Sequence, residues 1–352
     1  MQSIATISNN DSLKDVKKVG IIYSDVKREY FPTEEQYLTE KDAHEDAELV
    51  AARLTTLGFK VMLYPGNDSL IENLKKGKPD VVFNLVDSIK GNEYLSSTIP
   101  GILDTMDLPY VGAGLLGLAL CYNKFLMRKL LRNAGIPVPN FQLFNTPSNA
   151  LDVELRFPVI SKLNEIHGGV EIGYDAISED EKHLRERVKF LISTYNQPVL
   201  IEEFISGDEI TVMCLEGANT KIYMAKKAFK NAENKYAMAT FEDQWLDVGT
   251  DKSNWAYTYE KYEDDKLKDL AKKAFELSKM EGYGKFDVRI DSSGRHYFID
   301  FNANPAFGPK ELNTAMGLII EELHGVPFSD ILMRLIRSGL SDAFEQNGGK
   351  LV

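Results

Sequence analysis

The stretch Gly284 to Asn304, GKFDVRIDSSGRHYFIDFNAN, decides how the rest of the chain is read. Two alternating runs meet at Asp291-Ser292-Ser293-Gly294, a turn composition, so the spacing predicts a β-hairpin. With a short even-numbered loop, Ile290 stands opposite Arg295. Period-two alternation then puts Phe286, Val288, Ile290, Tyr297, Ile299 and Phe301 on one wholly apolar face. The other face collects Lys285, Asp287, Arg289, His296, Asp300 and Asn302, with Asp300 opposite Lys285 and diagonal to Asp287. Two readings stand at this point. Carboxylate and amide oxygens on one surface suit Mg²⁺, a hard ion that shares its shell with water and phosphate oxygens. An amphipathic hairpin also turns a charged, solvated face outward without binding anything.

Upstream of the hairpin the pattern alternates between strand and helix. Val19–Tyr23, Lys60–Tyr64 and Asp80–Leu85 read as buried strands, while Thr39–Leu57, Ser69–Lys76 and Thr98–Met106 carry helical spacing. That alternation predicts an α/β N-terminal domain with a parallel sheet over residues 1–120, after a polar, unpacked start. Asn123 is placed to cap a helix on Phe125, Leu126, Met127, Leu130 and Leu131 that stops at Gly135. Short strands with one helix at Glu179–Tyr195 then indicate an α+β layer, divided as 121–206 and 207–352. Residues 226–256 lack periodicity and read as one long functional loop; helices flank the hairpin at Asp264–Met280 and near Asn313–Leu323.

Lys and Arg number 41 against 53 Asp and Glu, a net charge of −12, which disfavours nucleic acid or anionic lipid as partners. Charged residues interrupt the first thirty positions, and no segment approaches the ~20 apolar residues of a membrane span. Cys121 and Cys214 lack metal or disulfide spacing, which fits a cytoplasmic chain.

Lys124 sits in a helix first turn, where the macrodipole disfavours a cation, so either an anion lies near or the lysine is simply exposed. Lys162 lies in an apolar strand shortly before Gly168-Gly169, which is a plain turn or one whose amides approach phosphate. Glu202, Glu203 and Glu209 follow an apolar strand and are either a solvated strand exit or a nucleotide-edge reader. Gly112, Gly114 and Gly117 match G-x-G-x-x-G without the acidic residue a dinucleotide fold needs downstream, and no Walker loop occurs. The histidines are scattered and suggest no triad.

Five segments in order resemble the D-alanine:D-alanine ligases and their ATP-grasp relatives: 80–89 (DVVFNLVDSI), 108–141, 157–163 (FPVISKL), 200–212 (LIEEFISGDEITV) and 284–307. The resemblance implies an ATP-grasp fold of two α+β subdomains behind the N-terminal domain. It also implies an ADP-forming carboxylate–amine ligase acting through an acyl phosphate on small-molecule substrates, and a homodimer. Carried over residue by residue, it implies that Lys124 and Lys162 contact ATP phosphates and that the turn at Gly168 and Gly169 covers them. Glu202 would take the adenine amino group, Glu203 and Ile205 would offer backbone contacts, and Glu209 would bind ribose. Asp287, Asp300 and Asn302 would hold two Mg²⁺ ions, with Mn²⁺ able to substitute. Lys285, where the family has Arg, and Arg289 would be the catalytic cations, Lys285 acting with the Ala306 N–H on the oxyanion.

The amino-acid half departs from the family. Tyr23-Ser24-Asp25 replaces a Gly/Ser turn followed by Glu, Asp87-Ser88 replaces His-Gly, and AFGPKEL after Pro305 lacks the carboxylate-binding Ser. A substrate pair other than two D-alanines is therefore expected. The loop lysine that senses the terminal phosphate is Lys226, Lys227, Lys235 or Lys252. A small-molecule kinase on the same scaffold and a non-catalytic nucleotide-binding module are the alternatives.

Overall fold

The computed structural model describes residues 15–231, 233–246 and 255–346, with 342–346 as backbone alone; the polar start lies outside the described residues. β1 (Lys18–Tyr23), β2 (Lys60–Pro65), β3 (Val81–Leu85) and β4 (Tyr110–Val111) form a parallel sheet ordered β2-β1-β3-β4. Parallel neighbours need crossovers, and the helices Ala43–Thr56, Leu70–Gly77 and Thr98–Thr105 supply them. Because helices cover both faces, the strands are mostly apolar, with Lys18 and Lys60 at strand starts and Asn84 within β3. Val19, Ile21, Val81 and Phe83 share a core with Ala47, Val50 and Leu54, whereas Ile22 and Val82 share another with Leu70, Leu74, Ile99 and Leu103. The carboxyl ends of β1 and β3, the end where open α/β sheets bind ligands, run into Ser24 and Asp87-Ser88. There the Ser24 hydroxyl accepts from the N–H groups of Asp87 at 3.0 Å and Ser88 at 3.3 Å.

Two antiparallel sheets follow. β5 (Phe141–Phe144), β6 (Val159–Leu163), β7 (Ile177–Ser178) and β8 (Val199–Glu203) are ordered β5-β8-β6-β7 and backed by the helix Glu181–Tyr195. β9 (Asp208–Leu215), β10 (Lys221–Phe229), β11 (Tyr257–Lys261), β12 (Tyr283–Ile290) and β13 (His296–Asn302) are ordered β11-β10-β9-β12-β13. One side of this sheet packs on the helices Lys124–Asn133 and Asp265–Leu277. As predicted, the Asn123 side chain caps the first of these, accepting from the Leu126 N–H at 3.0 Å. Met213, Leu215 and Tyr283 on the other side join the core of the parallel sheet and the closing helix Phe328–Gln346. A parallel α/β layer followed by antiparallel α+β layers is the architecture the sequence predicts.

The hairpin is β12-β13, but its register differs from the expected one. Its loop has an odd number of residues: Ile290 pairs with His296, and the Asp291 N–H bonds the Arg295 carbonyl. A shift between Asp287/Asp300 and Val288/Phe298 leaves Ile299 unpaired, a β-bulge. One extra residue swaps faces. Phe298 therefore enters the core in place of Tyr297 and Ile299, and His296 is buried against Asp264 at 2.8 Å instead of facing the polar side. Asp300 stands opposite Asp287, and Lys285 opposite Asn302.

Boundaries moved elsewhere. The expected helix Thr39–Leu57 begins only at Ala43, with a separate turn of helix at Glu34–Leu38. The expected loop 226–256 begins after Phe229, because Lys226 and Lys227 belong to β10, and it contains the helix Phe241–Trp245. β10, β11 and Phe328–Gln346 were not anticipated; the last is amphipathic, burying Ile331, Leu332, Leu335 and Ile336. Among the described residues, no helix is long and apolar enough to cross a membrane.

Candidate active site

The polar faces of β9, β10 and β12-β13 look across at β6 and β8, and between them lies a cavity of about 770 Å³. Every site residue proposed from the sequence lines it: Lys124, Lys162, Gly168, Gly169, Glu202, Glu203, Ile205, Glu209, Lys285, Asp287, Arg289, Asp300 and Asn302. The bulge explains why two carboxylates meet there, since it sets Asp287 and Asp300 side by side on the cavity face.

Asp287 is buried and held by cations and a hydroxyl. It accepts from Lys285 Nζ at 2.6 Å and Thr211 Oγ1 at 2.8 Å, with Lys227 Nζ at 3.5 Å. Burial alone would raise its pKa, but Lys227 and Lys285 outweigh it and hold the carboxyl far below the usual range. The same pairing works on the lysines: burial disfavours their charge, but Asp287 together with Glu209 at Lys227, and Asp287 together with Asp300 at Lys285, outweigh it and raise both pKa values. Glu209 completes the cluster, accepting from Lys227 Nζ at 2.6 Å and Arg289 at 2.7 Å.

Among the described residues, no hydrogen bond or ion pair comparable to these reaches Asp300. Among the described residues no group of three or more His, Cys, Asp or Glu forms a metal cage. A cation here would draw on Asp287, Asp300 and Asn302, whose Oδ1 already accepts from the Asn304 N–H at 2.8 Å. It would need further oxygens from a nucleotide or water, which is the habit of Mg²⁺. The donor set fits that ion: it is all oxygen, incomplete alone and open to the cavity.

A second charged cluster joins β6, β8 and the helix Lys124–Asn133. Glu202, fully buried, accepts from Arg128 Nε, from Arg128 Nη2 at 3.1 Å and from Lys162 Nζ at 2.8 Å. Burial would raise the Glu202 pKa, yet the two cations bring it down to about 2. Lys124, also buried, donates to the Ile166 carbonyl; burial lowers its pKa, with Asp300 and Glu93 acting in the opposite sense.

The glycine turn is held from three sides. Gly168 and Gly169 have φ of 72° and 68°, the left-handed region, and a Cβ on Gly168 would stand 2.6 Å from the Thr39 side chain. Trp245 Nε1 donates to the Gly168 carbonyl at 2.7 Å, and the His167 N–H donates to Glu93 at 3.0 Å. Of the four candidate loop lysines, Lys227 lines the cavity. Lys226 pairs with Asp208 and Lys235 with Glu179 away from it, and Lys252 lies outside the described residues.

The sequence reading missed the acidic residues that the N-terminal layer adds to the lining, Glu40, Asp42, Asp46 and Asp87. Glu40 and Asp46 belong to a polar run that looks like a solvated helix start, and only the fold turns them inward. Burial and then repulsion from Asp87 push Glu40 up to about 8; burial and then Glu93 push Asp87 up to about 7. Glu40 accepts from the Ser88 hydroxyl at 2.8 Å, and Asp87 from the Asn304 amide at 3.0 Å. The glycines of the discounted G-x-G-x-x-G serve packing instead: a Cβ on Gly117 would meet the Lys279 carbonyl at 2.0 Å.

Residues 130–337 match the family model described as D-ala D-ala ligase C-terminus, more than half of the chain. The D-alanine–D-alanine ligase of Gloeobacter violaceus is 30% identical over 83% of this chain and 92% of its own length. An uncharacterized Sinorhizobium fredii protein, y4sG, is 28% identical over 74% of this chain and 78% of its own. In fold, the chain is similar to the Bacillus anthracis D-alanine–D-alanine ligase complexed with ATP, with a TM-score of 0.69 at 18% identity, covering 94% of this chain and 99% of that one. With the family model and the Gloeobacter relative agreeing over most of its length, this chain belongs to the D-alanine–D-alanine ligase family and carries that family's C-terminal ATP-grasp domain.

Proposed function

We propose that this chain is an ATP-dependent, ADP-forming ligase that activates a carboxylate as an acyl phosphate and joins it to an amine, and that its substrates are not two D-alanines. The observation that carries the reading is the composition of the cavity lining. Lys124, Lys162, Lys227, Lys285 and Arg289 line it with the Asp287, Asp300 and Asn302 oxygens, and the N-terminal layer adds Glu40, Asp46 and Asp87. A polyanion bound through cations suits the first set. The ammonium group of an amine substrate suits the second. The volume, about 770 Å³, falls within the ~300–1,000 Å³ of small-molecule sites.

In this reading Lys124 and Lys162 bind phosphate oxygens, Lys227 meets the terminal phosphate, and the Gly168-Gly169 turn covers them. Glu202 uses three acceptor positions on Arg128 and Lys162 and keeps one on Oε1 for an adenine amino group. Glu203 and Ile205 offer backbone groups to the ring, and Glu209 takes a ribose hydroxyl. Asp287, Asp300 and Asn302 hold Mg²⁺, which supplies charge neutralisation on the transferring phosphoryl group.

A substrate carboxylate oxygen attacks the γ-phosphorus, the bond to ADP breaks, and ADP leaves. The neutral amine then adds to the acyl carbon, and the oxyanion is met by Lys285 and the Ala306 N–H. Collapse breaks the C–O bond to phosphate, and the nitrogen gives up its proton. A covered site matters because water would otherwise consume the acyl phosphate. The buried free thiols Cys121 and Cys214 accord with a reducing cytoplasm, and a homodimer accords with the family.

The test is incubation with MgATP and pooled amino acids, small acids and amines, followed by mass spectrometry. The expected result is a new amide product with equal amounts of ADP and phosphate that require an amine. A stable phosphorylated product formed without amine would make the protein a kinase, and nucleotide binding without turnover would make it a binding module.

A further inference from the structure

Arg128 does not line the cavity, yet it is fully buried and bonded to two of the cavity's walls. Its guanidinium grips both oxygens of Glu202 in β8, and Nη2 also donates to the Ile299 carbonyl in β13. Lys162 in β6 repeats the pattern: Nζ bonds Glu202 at 2.8 Å and the Ile299 carbonyl at 2.9 Å. Ile299 is the bulge residue, unpaired with β12, and its carbonyl begins the peptide unit that carries Asp300. The guanidinium also lies over the Phe301 ring, 4.2 Å from its centroid, on the other side of Asp300 in sequence.

We propose that Arg128 is a positioning residue: by holding Glu202 and the Ile299 carbonyl together it fixes the Lys162 ammonium relative to the Asp300 carboxylate. This rests on the proposed function, in which Lys162 binds phosphate and Asp300 binds the metal on that phosphate. A bulge frees a carbonyl from the ladder, and such a carbonyl is buried only if donors meet it. Two cations on one acceptor are more than satisfaction requires, and they make the placement of β13 depend on β6, β8 and the helix Lys124–Asn133. A planar fork reaches three acceptors at once; a single ammonium at that position reaches one or two.

Arg128→Lys keeps the charge and removes the fork. Calorimetric titration with ADP at graded Mg²⁺ is expected to show a dissociation constant raised about tenfold, together with a comparable rise in the Mg²⁺ needed for half-maximal binding. Both changes should persist well below the thermal midpoint of the variant. A purely structural role would lower that midpoint and leave both constants alone, so a folded variant within twofold of wild type on both would overturn the proposal. Should Arg128→Lys be insoluble, Arg128→Gln carries the same expectation and the same refutation. A wild-type chain that binds no ADP with Mg²⁺ would contradict the proposed function, and this inference with it; wild-type binding with an unaffected variant would remove the positioning role alone.

Discussion

Lys285 and Glu40 line one cavity, and each carries a charge state set by its neighbours. Burial alone would lower the Lys285 pKa, but Asp287 at 2.6 Å and then Asp300 raise it, so a cation is there to meet a negative oxygen. Lys285→Met is expected to lower kcat by about 10²–10³, the worth of one oxyanion donor, with little change in KM for ATP. Steady-state kinetics on the product identified by mass spectrometry checks this. Glu40 is protonated in the fold up to about pH 8, against 4.5 ordinarily. Across that window the folded chain holds a proton that the unfolded chain has released, so stability falls as pH rises. Glu40→Gln should therefore raise the melting temperature at pH 8 more than at pH 5. An equal shift at both pH values would show that Glu40 is not held protonated.

Gly168 and the β12-β13 hairpin show what an element can specify. The glycine turn needs a left-handed φ and lies against Thr39, so Gly168→Ala adds strain of about 1 kcal/mol and pushes the turn away from the N-terminal layer. The expected outcome is uncoupling: phosphate release that exceeds amide product, measured in the same reaction. The hairpin itself was legible from Asp291-Ser292-Ser293-Gly294 and the alternation on either side, and so were Asp287, Asp300 and Asn302. The bulge at Ile299 was not, because one extra residue leaves composition unchanged while exchanging Phe298 for Tyr297 and Ile299 in the core. Lys227 could be told from Lys226 only once β10 was known to be a strand, whose alternation gives the two lysines opposite faces. The acidic lining from the N-terminal layer was illegible for another reason: Glu40 and Asp87 are remote in sequence, and only the strand order β1-β3 brings their segments together.

At the scale of the whole molecule, the helix Phe328–Gln346 ties the end of the chain to its beginning. It packs against β3, β4 and the helix Ala43–Thr56, in the core that also receives Met213 and Tyr283 from the five-stranded sheet. That shared core joins the N-terminal layer to the five-stranded sheet that carries Asp287 and Asp300. Leu335→Ala, at a fully buried position in it, should cost about 2–5 kcal/mol. Thermal unfolding should show one lowered transition for the sheets sharing this core; an unchanged first transition beside a separate lowered one would mean that the layers unfold independently.

Asp300, beside Asp287, is proposed to grip a divalent cation together with nucleotide phosphates, and titrating Mn²⁺ into the protein with a non-hydrolysable ATP analogue while following free Mn²⁺ by electron paramagnetic resonance measures that grip. Wild type is expected to bind Mn²⁺ with the nucleotide, and Asp300→Ala, folded and with a near-normal melting temperature, to lose that binding. A folded Asp300→Ala variant that binds Mn²⁺ and nucleotide as wild type does would contradict the account.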